Sequence, residues 1–194
     1  MSTVGEALGE LLDIMGKLAM PAVGNFLPGL AREEITSLTQ DLGLSLAPEV
    51  IELYEFRNGV LSNGRYRRDI SIYYGYWMLP LHEAAENYRR ISHWDEHISS
   101  WFPILYCNGD YFHLDCQAAG DGKPSVVSAM LESDPEVEYS TLSSMFHTFA
   151  ECYKQGAFVV TDGVMVDHDE LKVNQIGLQN NPDVRYWHEQ QRTF

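Results

Sequence analysis

The sequence predicts an α+β fold, a mostly antiparallel sheet of hairpins with helices packed on it. Three observations point there. Apolar residues recur at helical spacing near the start of the chain and again near residue 150. The middle is rich in β-branched and aromatic residues. Asn108-Gly109 falls between two apolar runs, the strongest short-range hairpin signal. Helices and hairpins in separate blocks, without alternating βα units, favour α+β over a parallel sheet.

The elements follow in order. Val4, Leu8, Leu11, Leu12, Met15, Leu18 and Ala19 form one stripe of a first helix. Ser2 or Thr3 would cap it, with Glu6 completing a capping box from Thr3. Pro21, Gly24, Pro28 and Gly29 mark a loop. Glu33 and Glu34 suit the first turn of a second helix, with Ile35, Leu38 and Leu42 inward and Gly43 at its end. Pro48 opens a third, burying Val50, Ile51 and Tyr54, with Leu53 a further candidate, and Asn58-Gly59 would stop it. Ile70 to Leu79 reads as strand, interrupted by Gly75. Leu81, Ala84, Ala85, Tyr88 and Ile91 return to helical spacing. Trp101–Cys107 and Tyr111–Cys116 form a hairpin about Asn108-Gly109, and a turn at Gly120–Pro124 leads to a strand over Ser125–Leu131. Glu132, Asp134, Glu136 and Glu138 read as a loop or exposed edge. Leu142, Met145, Phe146, Phe149, Ala150 and Tyr153 make a clear helix that Gly156 ends. A short strand at Phe158–Thr161 precedes turns and a polar tail.

The chain has 194 residues, enough to bury roughly 70% of its unfolded surface without disulfides or metals. We read an N-terminal helix and loop over 1–29, a domain over 30–160 and a C-terminal extension over 161–194, packed on the domain or trailing it. The net charge of −15 makes direct binding of nucleic acid unfavourable and basic proteins favoured partners. No apolar run approaches the ~20 residues of a membrane span. Glu6, Glu10 and Asp13 stand where a signal peptide would be basic. Cys107, Cys116 and Cys152 are odd in number and loosely spaced. The expectation is a soluble, reduced, cytoplasmic protein.

Motifs for chemistry are sparse. Neither a phosphate-binding glycine loop nor a G-x-S-x-G elbow occurs. His93-Trp94-Asp95-Glu96-His97 matches H-x-x-E-H, the pattern of a zinc hydrolase with His93 and His97 as ligands and Glu96 as base. Its polar flanks favour a solvated helix end. Asp167-His168-Asp169-Glu170 lacks the order of a calcium loop and reads as a solvated turn. No cofactor motif and no catalytic residue are assigned.

Charge is distributed unevenly. Between residues 100 and 170 there are 12 acids and two bases, Lys123 and Lys154. Arg57, Arg65, Arg67, Arg68, Arg89 and Arg90 cluster before them. The acidic half is either a solubilising surface or a docking face for a basic partner.

The order of several motifs resembles the SUKH superfamily, the Smi/Knr-type domains named after regulators of cell-wall synthesis. These are Pro48-Glu49, Leu53-Tyr54, Asn58-Gly59, Leu79-Pro80-Leu81, Trp101-Phe102-Pro103-Ile104, Asn108-Gly109-Asp110-Tyr111-Phe112, Leu114-Asp115, Gly122 to Val127, and a final helix with Phe146 and Phe149. The resemblance implies an α+β domain without established general catalysis. It also implies fold-maintaining roles for Asn58, Gly59, Trp101, Pro103, Gly109 and Asp115. Many bacterial members look like immunity proteins encoded beside polymorphic or contact-dependent toxins, often nucleases. Others resemble regulatory scaffolds, the alternative reading here. The expectation is therefore a non-enzymatic protein that binds a basic toxin domain. Asp110, Glu132, Asp134, Glu136 and Glu138 would steer the partner, with Tyr111 or Trp77 as anchors.

Overall fold

The structure, a computed structural model, describes residues 3–62, 69–92, 99–117, 124–131 and 133–191. Helix α1 spans Val4–Lys17 and starts as its sequence demands. Thr3 Oγ1 accepts the Glu6 N–H, and the Glu6 carboxylate accepts the Thr3 N–H at 2.8 Å. A 3₁₀ turn at Pro21–Asn25 leads into strand β1 (Phe26–Pro28). Helices α2 (Arg32–Thr39) and α3 (Pro48–Phe56) follow, then strand β2 (Arg57–Val60), which pairs antiparallel with β1. Helix α3 thus ends before Asn58-Gly59, and these two residues act from within β2. Asn58 Oδ1 accepts the N–H of Leu81 at 2.9 Å, satisfying an orphan donor of helix α4 (Leu81–Ile91). Gly59 has φ +66°, and a Cβ there would lie 2.4 Å from the Leu79 carbonyl oxygen.

The central sheet has five antiparallel strands in the order β3 (Trp77–Met78), β4 (Trp101–Cys107), β5 (Asp110–Asp115), β6 (Val126–Ala129) and β7 (Glu136–Tyr139). The α+β class and the hairpins hold. The expected strand over Ile70–Leu79 is shorter, with only Trp77–Met78 pairing to β4. Before it, Tyr73 to Tyr76 closes a tight turn, with Tyr74 at φ +38° and Gly75 at φ +86°. Ile72 and its neighbour Tyr73 both pack against the core, which one side of a strand could not arrange. The expected strand over Ser125–Leu131 contracts to β6, and the turn before it lies mostly outside the described residues.

Helix α5 (Leu142–Lys154) packs along α1 and against the sheet. Thr141 and Ser144 form a reciprocal cap at its start. The Glu49 carboxylate of α3 accepts the Leu142 N–H at 2.9 Å. Beneath it Tyr73 stacks on Phe149, 4.6 Å between centroids, and Tyr139 meets Phe149 edge-on at 5.7 Å.

The expected polar tail is structured. Strand β8 (Phe158–Thr161) pairs with β9 (Val164–His168), so the boundary at 160 cuts a hairpin. Helix α6 (Glu170–Asn180) and the short α7 (Arg185–Gln190) then fold back against α5 and β7. One apolar cluster runs from Val4 to Trp187, so the N-terminal helix and the C-terminal extension share the domain's core. No described helix is long and apolar enough to cross a membrane.

Trp187 anchors the extension. It is 2% exposed, lies 5.6 Å from the Tyr139 ring, and its Nε1–H donates to the Glu138 carbonyl. Gly177 makes room for it, since a Cβ there would fall 2.3 Å from the indole. Trp187→Ala should cost about 3–5 kcal/mol, whereas Trp187→Phe keeps most of the packing but shrinks the ring and leaves the Glu138 carbonyl without its donor, costing about 1–3 kcal/mol. Urea unfolding of both variants measures the difference.

Candidate functional site

The site is built where β6, β7 and the C-terminal helices meet. Asn108-Gly109 turns the β4–β5 hairpin with φ +52° and +104°. A Cβ on Gly109 would stand 2.8 Å from Leu131 Cδ1. Asp110 Oδ1 accepts the Leu131 N–H at 2.9 Å. Asp110, expected as a steering charge, therefore holds the β6–β7 connection in place. That connection presents Met130 and Leu131, the latter 77% exposed, then Asp134, Glu136 and Val137. Asp134 and Glu136 are exposed as expected, and Glu132 lies outside the described residues.

Glu138 is a correction. It was expected on the surface and is 5% exposed. The register shifts between β6 and β7 at this point, so Glu138 turns inward. Burial raises its carboxyl to about 7, with the Ser128 hydroxyl opposing the shift and Glu136 adding to it.

The two expected anchors are also buried. Trp77 packs with Val60 and Ile70 and meets Tyr106 edge-on at 5.0 Å. The Tyr111 hydroxyl donates to Asn87 Oδ1 at 2.9 Å and accepts from Arg90 at 2.8 Å. Tyr111 sits on β5 in the middle of the sheet, held by α4, and Trp77 sits on the end strand β3, covered by Val60 and Ile70. Their role is packing.

The remaining motif residues act on the fold. Pro103 is buried opposite His113, and Trp101 lies 6.0 Å from the His113 ring. Asp115 Oδ1 accepts the Gln117 N–H at 2.9 Å, closing the turn after β5. His113 itself has neither ring nitrogen hydrogen-bonded, and burial pushes its pKa down to about 3. Burial likewise raises the Cys116 thiol to about 11 and that of Cys152 to about 12. These three groups stay uncharged near neutrality and suit packing better than chemistry.

Among the described residues, no group of three or more His, Cys, Asp or Glu could hold a metal. The H-x-x-E-H at 93–97 lies outside them, as do Arg65, Arg67 and Arg68. Arg89 pairs with Asp41 at 2.7 Å.

Sequence reasoning missed the C-terminal side of the site. Asn181 Oδ1 accepts the Ser140 N–H at 3.2 Å, and its Nδ2 donates to Thr148 Oγ1 and the Gly177 carbonyl, each at 3.1 Å. Together Asn181 and Trp187 occupy the far end of the β7 edge. Ahead of them a cleft of about 490 Å³ opens between β7 and α7. The available signals were Trp187 in a polar stretch and Asn181 before Pro182.

The two buried titrations have opposite signs. His113 is depressed, so the unfolded chain binds its proton first and stability falls as pH drops from about 6.5 to about 3. Glu138 is raised, so the native state holds its proton longer and stability falls as pH rises from about 4.5 to about 7. Glu138→Gln should raise stability at pH 8 by about 3 kcal/mol and by little at pH 4. His113→Phe should flatten the acid limb. Urea midpoints from pH 4 to 8 check both signs.

A family model described as SMI1 / KNR4 family (SUKH-1) matches residues 29–152. No curated protein matches the chain significantly. The matched span runs from the end of β1 into α5, and it contains the hairpin, the acidic connection and all the motif residues above.

Proposed function

This chain belongs to the SMI1/KNR4 family (SUKH-1), and from that premise we propose a non-enzymatic, cytoplasmic immunity-type protein. It would bind and neutralise a basic toxin domain, a nuclease, through an acidic surface. The observation that carries this reading is the β6–β7 edge. Asp134, Glu136 and Asp183 are exposed and enter no salt bridge among the described residues, beside the exposed apolar Leu131 and Val137. Anchors ringed by like charge suit a fast, specific complex with a basic protein. A nuclease must carry basic groups to bind phosphate, so a chain of net charge −15 is attracted to it before contact. Such steering supports association at about 10⁸–10⁹ M⁻¹s⁻¹ at low salt.

The test is a tagged pull-down from the source lysate at low and high salt, with the toxin-like C-terminal domain of the neighbouring gene product as companion bait. A stoichiometric basic toxin domain, held less tightly in high salt, is the expected result. Recovery of a cellular partner without any toxin would move the protein to the regulatory scaffolds. With a toxin in hand, the triple variant D134N/E136Q/D183N should associate about tenfold more slowly at low salt, with a flatter salt dependence. Stopped-flow rates that keep the wild-type slope would remove this surface from the interface.

A further inference from the structure

Strand β7 ends the five-stranded sheet, and no described strand pairs with its outer edge. Such an edge offers backbone N–H and C=O groups to another chain. The C-terminal extension occupies only part of it. Trp187 Nε1–H takes the Glu138 carbonyl and Asn181 takes the Ser140 N–H, so the cap ends there. Ahead of that point the 490 Å³ cleft runs along Glu136 and Val137, between β7 and the start of α7. Its apolar lining is Val137, Val184 and Tyr186. Its rim carries Glu136 and Asp183, while Arg185 is already paired with Glu189 at 2.6 Å.

We infer that the partner docks by adding an extended basic segment alongside the open start of β7, Glu136 and Val137, and the residues Asp134 and Pro135 that lead into it. The inference deepens the proposed function and takes the partner's basic character from it. The chemistry of the edge selects that occupant. A second copy of this chain would bring Asp134 and Glu136 against their own kind, and like charges directly opposite are unfavourable. A basic strand meets the reverse. Its backbone extends the sheet, alternate Lys or Arg side chains reach Glu136 and Asp183, and its apolar side chains cover Val137 and Val184. Arg or Lys stems also fit a cleft that is apolar within and acidic at its mouth. Pro135 has no N–H to give, so the pairing centres on Glu136 and Val137. Trp187 stops the added strand at Glu138.

The probe is a blocked octapeptide of alternating Val and Arg, titrated into the full ¹⁵N-labelled chain. Two controls are the Val/Glu octapeptide and a Gly/Arg octapeptide of equal charge and poor strand propensity. The Val/Arg peptide is expected to shift the amides of Asp134, Glu136 and Val137, to protect the one of Glu136 and Val137 whose N–H faces away from β6, and to bind about tenfold more tightly than Gly/Arg. The exposed pair E136K/D183K should abolish this while leaving the urea unfolding midpoint at its wild-type value. Equal binding of the Gly/Arg peptide, shifts confined to other elements, or no binding would each overturn the inference. The two readings fail separately. A toxin that binds tightly yet leaves the 134–137 amides unprotected removes strand addition and keeps the immunity role. A peptide that binds this edge in a chain that recovers no toxin does the reverse.

Discussion

The burial of helix α5 is the constraint on which the rest of the structure depends. Eight of its thirteen residues are buried, and they face α1 on one side and the sheet on the other. A helix apolar over that much of its circumference cannot exist at a surface. It needs α1 against it, although α1 precedes the family-matched span. It also needs the rings of Tyr73, Tyr139 and Phe158 around Phe149. A Phe side chain in such a setting contributes about 2–3 kcal/mol by burial alone. The pieces outside the matched span therefore complete the core, and do not decorate it.

The C-terminal extension does two things with one set of contacts. Trp187 and Asn181 satisfy backbone groups that an edge strand would otherwise leave to solvent or to a neighbouring molecule. By stopping short of Glu136 they also define how much of that edge stays open. Stability and recognition thus share a boundary at Glu138. Its carboxyl is buried at that boundary, below the two acids that stay outside.

Charge is partitioned by the fold in a way that the totals hide. Of the acids expected to steer a partner, Asp110 is spent on the Leu131 N–H and Glu138 is sealed in the interior. Asp134 and Glu136 remain, and Asp183 joins them from a segment 47 residues further along. The surface is acidic because three elements converge, and no single run of sequence makes it so.

Much of the fold was legible in local sequence. The Thr3–Glu6 box, the Asn108-Gly109 hairpin, the strand Trp101–Cys107 and the helix from Leu142 are each specified within a few residues. Caps, turns and periodic stripes act over one or two turns of chain, so sequence determined them by itself, together with the family and the α+β class. What only the tertiary structure decided depends on partners far away in the chain. The Tyr-rich segment before Trp77 reads as strand because its rings favour strands, yet Tyr73 and Tyr76, which a strand would put on opposite faces, both pack against the core. The extension reads as a polar tail because Val173, Ile176, Val184 and Trp187 are few, and each is buried only once β7 and α5 exist to cover it. Whether an acid or an aromatic faces water is set the same way. Burial is a property of the assembled neighbours, and neither Trp77 nor Glu138 carries that information in its own surroundings in the chain.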